Sequence, residues 1–144
     1  MMSAFVKRWL PVVCWQVIIA LCVLRFCFLT ADFPNNSPWN ADQAKFTDEG
    51  WWASGAITHH LLGRWTVPGD YNPVVALPVW PVMLAALFHF TGVSIVATRA
   101  FNVALSVATL GIVYLLVRRY AVMRPQTVAA LCVLFLAASP CAFV

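Results

Sequence analysis

Two adjacent acids, Asp48 and Glu49, are the residues of this 144-residue sequence whose types and position could do chemistry. They stand directly before a tryptophan-containing stretch, GWWASGAITHHLLGRW, in a chain that is otherwise mostly apolar. A carboxylate held close to lipid can have a raised pKa and act as a general base, whereas one that faces water would not. The structural alternative is that two acids at the amino end of a helix simply complement the helix dipole.

Arg99 and three histidines are the other polar side chains that could form a site. Arg99 could bind a phosphate or pair with Asp48, or it could extend to the interface from a helix end. His59 and His60 are adjacent, so on a helix they point about 100° apart and cannot share a metal as an i, i+4 pair can. One of them could join an acid from elsewhere, but no metal site is predicted. His89 is interpreted as an interfacial histidine.

The composition predicts an integral membrane protein. Hydrophobic residues make up 62% of the chain and charged residues 10%, and the mean hydropathy is +0.83, whereas soluble domains carry about 25% charged residues. The net charge is +4, but the basic residues cluster beside apolar runs, which is typical of cytoplasmic ends of spans and not of a nucleic-acid surface. The clustered basic residues are Lys7, Arg8, Arg118, Arg119 and Arg124.

The first apolar run, residues 12–29, predicts a membrane-spanning helix with the amino terminus in the cytoplasm. A secretory signal is the alternative, because Lys7 and Arg8 resemble its charged region. However, the run is longer than the ~7–15 residues of a signal core, and no A-x-A-type cleavage site follows it. Arg25, near the outer end of the run, could extend to the interface or turn inward to form an ion pair.

Residues 30–92 are predicted to form an extracytoplasmic loop with two interfacial helices. The first part of this loop, residues 30–47, is rich in Pro, Asn and Asp and predicts irregular structure. Thr47 can cap a helix over residues 48–62, and Gly63 can end it. This helix is too short and too polar to span, but it suits the interface, where tryptophan is favoured.

The second loop segment, residues 74–91, has two interpretations. If it spans the membrane, the arginines after the next apolar run, residues 93–117, lie outside, against the positive-inside bias. If it is interfacial or re-entrant, those arginines are cytoplasmic, and Arg99 lies on the same side as Asp48. We favour the second interpretation, and prolines at the start of the segment also remove donors that lipid cannot replace. These prolines are Pro73, Pro78 and Pro81.

The remaining residues complete a single predicted membrane domain over residues 1–144. A cytoplasmic turn over residues 118–125 leads to a further apolar run over residues 126–144, which ends without a polar flank. We interpret this run as an incomplete span. The expectation is therefore a truncated product, or the amino-terminal fragment of a larger protein.

This order of features resembles the start of the polyprenyl-phosphate-sugar-dependent membrane glycosyltransferases of the C-type fold. The shared features are an amino-terminal span, a DE pair that opens an interfacial helix, the segment NPVVALPVWPVMLAALFHFTG, a G-x-S-x-x-x-x-R step and an arginine-terminated span. Within that group the chain looks most similar to protein O-mannosyltransferases and to bacterial aminoarabinose and Rgt-type transferases. The resemblance covers nearly the whole chain, and only roughly the first quarter to third of a typical family member.

The resemblance implies an all-α fold of many spanning helices, an active site at the outer membrane face and a lipid-phosphate sugar donor. It implies that Asp48 is the first-loop aspartate that acts as general base or orients the acceptor, with Glu49 as its neighbour in the motif. Arg99 matches the arginine that starts the following span and is the predicted substrate-binding residue. Aminoarabinose transferases carry Glu-Lys-Pro where this chain has Tyr71, Asn72 and Pro73, which argues against aminoarabinose.

The predicted function is inverting transfer of a sugar from a polyprenyl-phosphate donor to a glycan, lipid or protein acceptor at the extracytoplasmic face of the cell membrane. The cofactor is left open, because either a divalent metal ion or an arginine such as Arg99 would stabilise the leaving phosphate. The fragment alone is expected to be inactive. The alternative is a non-catalytic multi-spanning membrane protein, either a scaffold or a transporter fragment, that uses the same spans.

Overall fold

The computed structural model describes residues 4–30, 49–69 and 79–139, with side chains from residue 9 in the first range and from residue 52 in the second. These described residues form five α-helices and no strand, which confirms the all-α prediction for this part of the chain. The helices are α1 (Ala4–Cys27), α2 (Glu49–Leu62), α3 (Val79–Thr91), α4 (Ile95–Tyr120) and α5 (Pro125–Ala138).

Two of these helices are long and apolar enough to cross a membrane. They are the Trp9–Cys27 part of α1, with a mean hydropathy of 2.2, and α4, with a mean hydropathy of 2.1. At about 1.5 Å per residue, α4 is roughly 39 Å long, which exceeds the ~30 Å thickness of the hydrocarbon core. α3 and α5 are apolar but shorter, with 13 and 14 residues.

The helix bounds differ from the predicted ones where helix-ending signals are weak. α1 begins at Ala4 and continues through Pro11, although the first span was predicted to start after that proline. α4 begins one residue after Ser94, whose Oγ accepts a hydrogen bond from the Ala97 backbone N–H at 3.2 Å, as an N-cap does. α4 also runs past the predicted end at residue 117, because arginine is a good helix former and its charge is favourable in the last turn.

The predicted turn over residues 118–125 is therefore shorter in the structure. Only residues 121–124 separate α4 from α5. Arg124 adopts a left-handed conformation, with φ of 47°, and Pro125 follows it as the first residue of α5. A left-handed non-glycine residue is uncommon, and its conformation makes the chain reverse sharply between the two helices.

The described chain divides into two compact units. The first unit comprises Met1–Leu29 and Ala100–Val144, so it contains α1, most of α4, and α5. Its core is a cluster of buried apolar side chains to which all three helices contribute, and the rings of Trp15 and Tyr114 meet edge to face with centroids 4.9 Å apart. The buried members of the cluster are Ile18, Leu110, Val133 and Ala137.

Within this unit α1 and α5 run parallel and pack against each other. Leu110 in the core and the ring contact of Tyr114 with Trp15 connect α4 to this pair. Near the carboxyl end of α1, a guanidinium N–H of Arg25 donates a hydrogen bond of 2.7 Å to the carbonyl oxygen of Ala137, near the carboxyl end of α5. The carboxyl ends of α1 and α5 therefore lie together.

Arg25 is turned inward and is only 7% exposed, so it does not extend to a polar surface. The partner in this contact is a backbone carbonyl and not the acid of an ion pair. The last carbonyl groups of a helix have no partner within that helix, and a cation near them is favoured by the helix dipole. Arg25 thus caps the carboxyl end of α5 from the neighbouring helix.

The outer surface of this unit is apolar. Ile19 and Val23 of α1, Leu115 of α4 and Phe135 of α5 are each more than half exposed. Burial of one such side chain stabilises a protein by about 1.5–3 kcal/mol. A surface of this kind in contact with water would lack that stabilisation at every exposed side chain. Exposed apolar area of this extent fits contact with lipid.

The second unit, Thr30–Arg99, is built on the packing of α2 against α3. Ala53 and Ala56 of α2 are buried, as are Leu84 and Phe88 of α3. The members of each pair are three or four residues apart and so lie on one helix face. The small alanines of α2 allow the bulky side chains of α3 to approach its backbone.

The capping contact of Arg25 predicts the effect of its loss. Arg25→Met should lower the free energy of unfolding by about 1–3 kcal/mol, because the buried carbonyl of Ala137 loses a donor. Thermal unfolding in detergent, followed by circular dichroism, measures the change. Arg118→Met, the same change at an exposed arginine of this unit, is the control and should leave the midpoint unchanged. Equal midpoints for the two variants would contradict the capping role.

Candidate functional site

The acid pair lies at the amino end of α2. Glu49 is the first residue of that helix, but its side chain lies outside the described part of the chain, and so does the whole of Asp48. For the two carboxylates that were predicted to be catalytic, only their place in the sequence at the start of α2 is therefore known, and not their contacts. Whether they approach Arg99 remains a prediction.

Arg99 is half-buried in the second turn of α4. Arg99 is the last residue of the pattern G-x-S-x-x-x-x-R. The structure explains the other two defined residues of this pattern, Gly92 and Ser94, by their roles at helix ends. Gly92 ends α3 with a left-handed φ of 69°, and its N–H donates to the carbonyl oxygen of Phe88 at 2.9 Å. Ser94 caps α4. Only the arginine is left without a role in ending or starting a helix.

The described part of the second unit contains an open groove of about 460 Å³ between α2 and α3. All three histidines of the chain line it, together with one tryptophan and an apolar wall. We call this feature the histidine groove. It is lined by His59, His60, Trp65, Val82, Ala85, Ala86 and His89.

Helix geometry explains how this groove is assembled. His59 and His60 lie in the last turn of α2, and His89 lies in the last turn of α3, so the packing of the two helices brings their carboxyl ends together. The α3 wall follows an i, i+3, i+4, i+7 pattern, which places its side chains on one stripe of the helix. The residues of that stripe are Val82, Ala85, Ala86 and His89.

Each imidazole contacts an aromatic ring. The ring of His59 stacks on Trp65, with centroids 4.1 Å apart and planes at 26°. His60 meets the buried Phe88 edge to face at 6.4 Å, which joins α2 to α3. His89 meets Phe90 in a similar way at 5.3 Å. These contacts restrict the ring orientations, so the groove is lined by positioned imidazoles and not by freely rotating ones.

Sequence reasoning treated the histidines separately and missed the groove. A signal was present, because α2 and α3 both end in the pattern H-x-x-G, at His60 to Gly63 and at His89 to Gly92. In both cases the glycine is left-handed and closes the helix, and the histidine lies in the last turn. A basic side chain near the carboxyl end of a helix is favourable with respect to the helix dipole.

The histidine groove does not form a metal site in the described residues. No group of three or more His, Cys, Asp or Glu side chains converges there on a point where a metal could bind. The groove offers imidazole and indole nitrogens beside an apolar wall. This is the chemistry of a binding site for an amphipathic molecule, with hydrogen-bond donors at one side and hydrocarbon at the other.

No protein family model, curated protein or solved structure matches this chain. The resemblance described from the residues is thus supported by the pattern of the sequence alone. The function has to be argued from the elements and the groove.

The left-handed turn at Gly63 predicts how the groove responds to substitution. The Gly63 N–H donates to the carbonyl oxygen of His59 at 3.0 Å, and φ is 69°. A Cβ at Gly63 would meet no atom within 4 Å, so the cost of Gly63→Ala is conformational, roughly 1–2 kcal/mol. Thermal unfolding in detergent measures this loss.

Gly111→Ala is the matched control, because Gly111 lies inside α4 and a Cβ there also meets nothing within 4 Å. It should stabilise the protein by up to about 1 kcal/mol, since alanine has the higher helix propensity. If both variants shift the midpoint in the same direction, the left-handed conformation does not determine the effect.

Proposed function

We propose that this protein is a membrane glycosyltransferase that moves a sugar from a polyprenyl-phosphate donor to a glycan, lipid or protein acceptor at the extracytoplasmic face. The observation that carries the proposal is the start of α2 at Glu49, directly after Asp48. The acid pair therefore lies at a helix amino end, in the segment between the two helices that are long enough to span. The resemblance predicts this arrangement.

The proposed reaction is a single displacement at the anomeric carbon. Asp48 accepts the proton of the acceptor hydroxyl as its oxygen bonds to that carbon. The bond between the carbon and the phosphate oxygen breaks at the same time, and the polyprenyl phosphate leaves with the electron pair. Arg99 is the proposed cation that stabilises the negative charge on the leaving phosphate. The sugar is already activated on lipid, so the reaction requires no nucleotide.

The parallel packing of α1 and α5 supports the proposed topology. α5 starts only four residues after α4 ends, and its 14 residues can enter the membrane from that face without crossing it. It then runs parallel to α1 only if the number of crossings between the two helices is odd. α4 supplies one crossing, and a further one by α3 would make α5 antiparallel to α1. α3 has 13 residues, which reach only about 20 Å, less than the ~30 Å hydrocarbon core. With Lys7 and Arg8 in the cytoplasm, the arginine-rich end of α4 is also cytoplasmic, and α2 and α3 are extracytoplasmic.

The catalytic role of Asp48 predicts a specific loss of activity. In membranes from cells that express the full-length gene, Asp48→Asn should lower transfer of radiolabelled sugar from lipid by about 10²–10⁴-fold, because general-base catalysis is lost. The amount of inserted protein, measured by blot, should not change. Asp70→Asn, the same change at another acid of this loop, is the control and should retain transfer.

Transfer that persists in Asp48→Asn would overturn the catalytic role. The acid pair would then only stabilise the helix end, with an effect on stability of about 0.3–1 kcal/mol. Absence of transfer by the wild-type product of the full-length gene would favour the non-catalytic alternative.

The proposed topology predicts which positions an impermeant thiol reagent can reach. In a background without the five native cysteines, Leu61→Cys should react in intact cells, because α2 is proposed to lie outside. Met123→Cys, in the turn between α4 and α5, should react only after permeabilisation. Both native side chains are highly exposed, at 66% and 77%, so accessibility to the reagent is matched. Reaction of both variants in intact cells would contradict the topology.

A further inference from the structure

We propose that the histidine groove binds the phosphate headgroup of an anionic glycerophospholipid and so holds the second unit at the membrane surface. This function is separate from sugar transfer. It requires no chemical step, and it would apply equally to a non-catalytic membrane protein. The proposal rests on the nitrogen donors, the apolar wall and the charges around the groove.

The donors of the groove suit a phosphate. Every imidazole has at least one N–H donor, and the Trp65 indole nitrogen can only donate. The imidazoles and the Trp65 indole therefore offer N–H groups along the groove, and a hydrogen bond from such a donor to an ionised phosphate oxygen is stronger than one between neutral groups. No carboxylate is among the described residues that line the groove.

The wall opposite the imidazoles suits a hydrocarbon chain. Val82 is 52% exposed, and Ala85 and Ala86 continue the same apolar stripe along α3. Just beyond the groove, Phe90 is 85% exposed at the end of this helix. A ligand with a phosphate at one end and acyl chains at the other would satisfy both sides. Inorganic phosphate would leave the apolar side in water.

The charges beside the groove also fit an anionic lipid. Arg64 lies between the left-handed Gly63 and Trp65, and its side chain is exposed. All five acids of the chain also belong to the second unit, but their side chains lie outside the described residues, so Arg64 is the charged side chain that the structure describes next to the groove.

The position of the groove separates this lipid from the sugar donor. Glu49 opens α2, and His59 lies ten residues further along the same helix, about 15 Å away at 1.5 Å per residue. A donor phosphate has to be next to the carbon that the acceptor attacks, and hence close to the acid pair. The groove is too far along the helix for that phosphate.

Nitrogen-15 labelling of histidine tests the proposal directly. The chain contains three histidines and all of them line the groove, so every imidazole signal in the NMR spectrum reports on it. The full chain is placed in nanodiscs of phosphatidylcholine, and phosphatidylglycerol is then introduced in increasing amounts. We expect saturable shifts of the imidazole signals. Separate titrations use inorganic phosphate and farnesyl phosphate.

Two substitutions distinguish binding in the groove from a general effect of surface charge. Ala86→Phe fills the apolar wall without changing any charge and should weaken the response to phosphatidylglycerol about tenfold, a loss of roughly 1.4 kcal/mol. Ala108→Phe, at an exposed alanine of α4 outside the groove, is the matched control and should respond as the wild type does. Circular dichroism verifies that both variants fold.

Saturable shifts with phosphatidylglycerol that Ala86→Phe weakens and Ala108→Phe retains would support the proposal. The absence of shifts would overturn it, and so would equal shifts in both variants. Equal shifts with inorganic phosphate would make the groove a site for free phosphate, and a response to farnesyl phosphate alone would assign it to the donor. Either result would also overturn the proposal. The readout is binding, so a failure of the transfer assay would not affect it.

Discussion

A helix that ends among apolar side chains leaves carbonyl oxygens without a partner, and this constraint organises the first unit. The carbonyl of Ala137 lies near the end of α5, and the guanidinium of Arg25 on α1 reaches it at 2.7 Å. Arg25 is itself near the end of α1, and Ile18, two turns earlier, packs with Val133, one turn earlier on α5, so the two helices run in the same direction. Because the two helices are parallel, the number of membrane crossings between them must be odd, and the proposed topology depends on this condition.

The broad fold could be predicted from the sequence because its signals are local. Apolar run length distinguishes α1 and α4 from the shorter helices, and Ser94 and Gly92 mark helix ends through their own backbone and side-chain chemistry. The predictions were less accurate at Pro11 and Arg118, where the helix continues through a residue that was expected to lie outside it. At these positions the surrounding helix outweighs the preference of one residue.

The sites could be predicted only in part, because their geometry is not local. Arg25 binds a carbonyl oxygen of α5, which is distant from it in the sequence. The residue type alone therefore left two roles open, extension to the interface or an inward ion pair. The histidine groove depends on the packing of α2 against α3, and no single stretch of sequence contains it. Only the repeated H-x-x-G at two helix ends hinted that His60 and His89 occupy equivalent positions. The acid pair is still defined by sequence position.

The contact between Arg25 and Ala137 joins residues that are 112 positions apart, which has a consequence for biogenesis. Ribosomes add about 5–20 residues per second, so α1 emerges on the order of ten seconds before α5 is complete. During that interval a guanidinium in the last turn of an apolar helix has no other helix end to cap. Cotranslational insertion must therefore provide a temporary polar environment for α1, either within the insertion machinery or at the lipid–water boundary, until the last helix arrives.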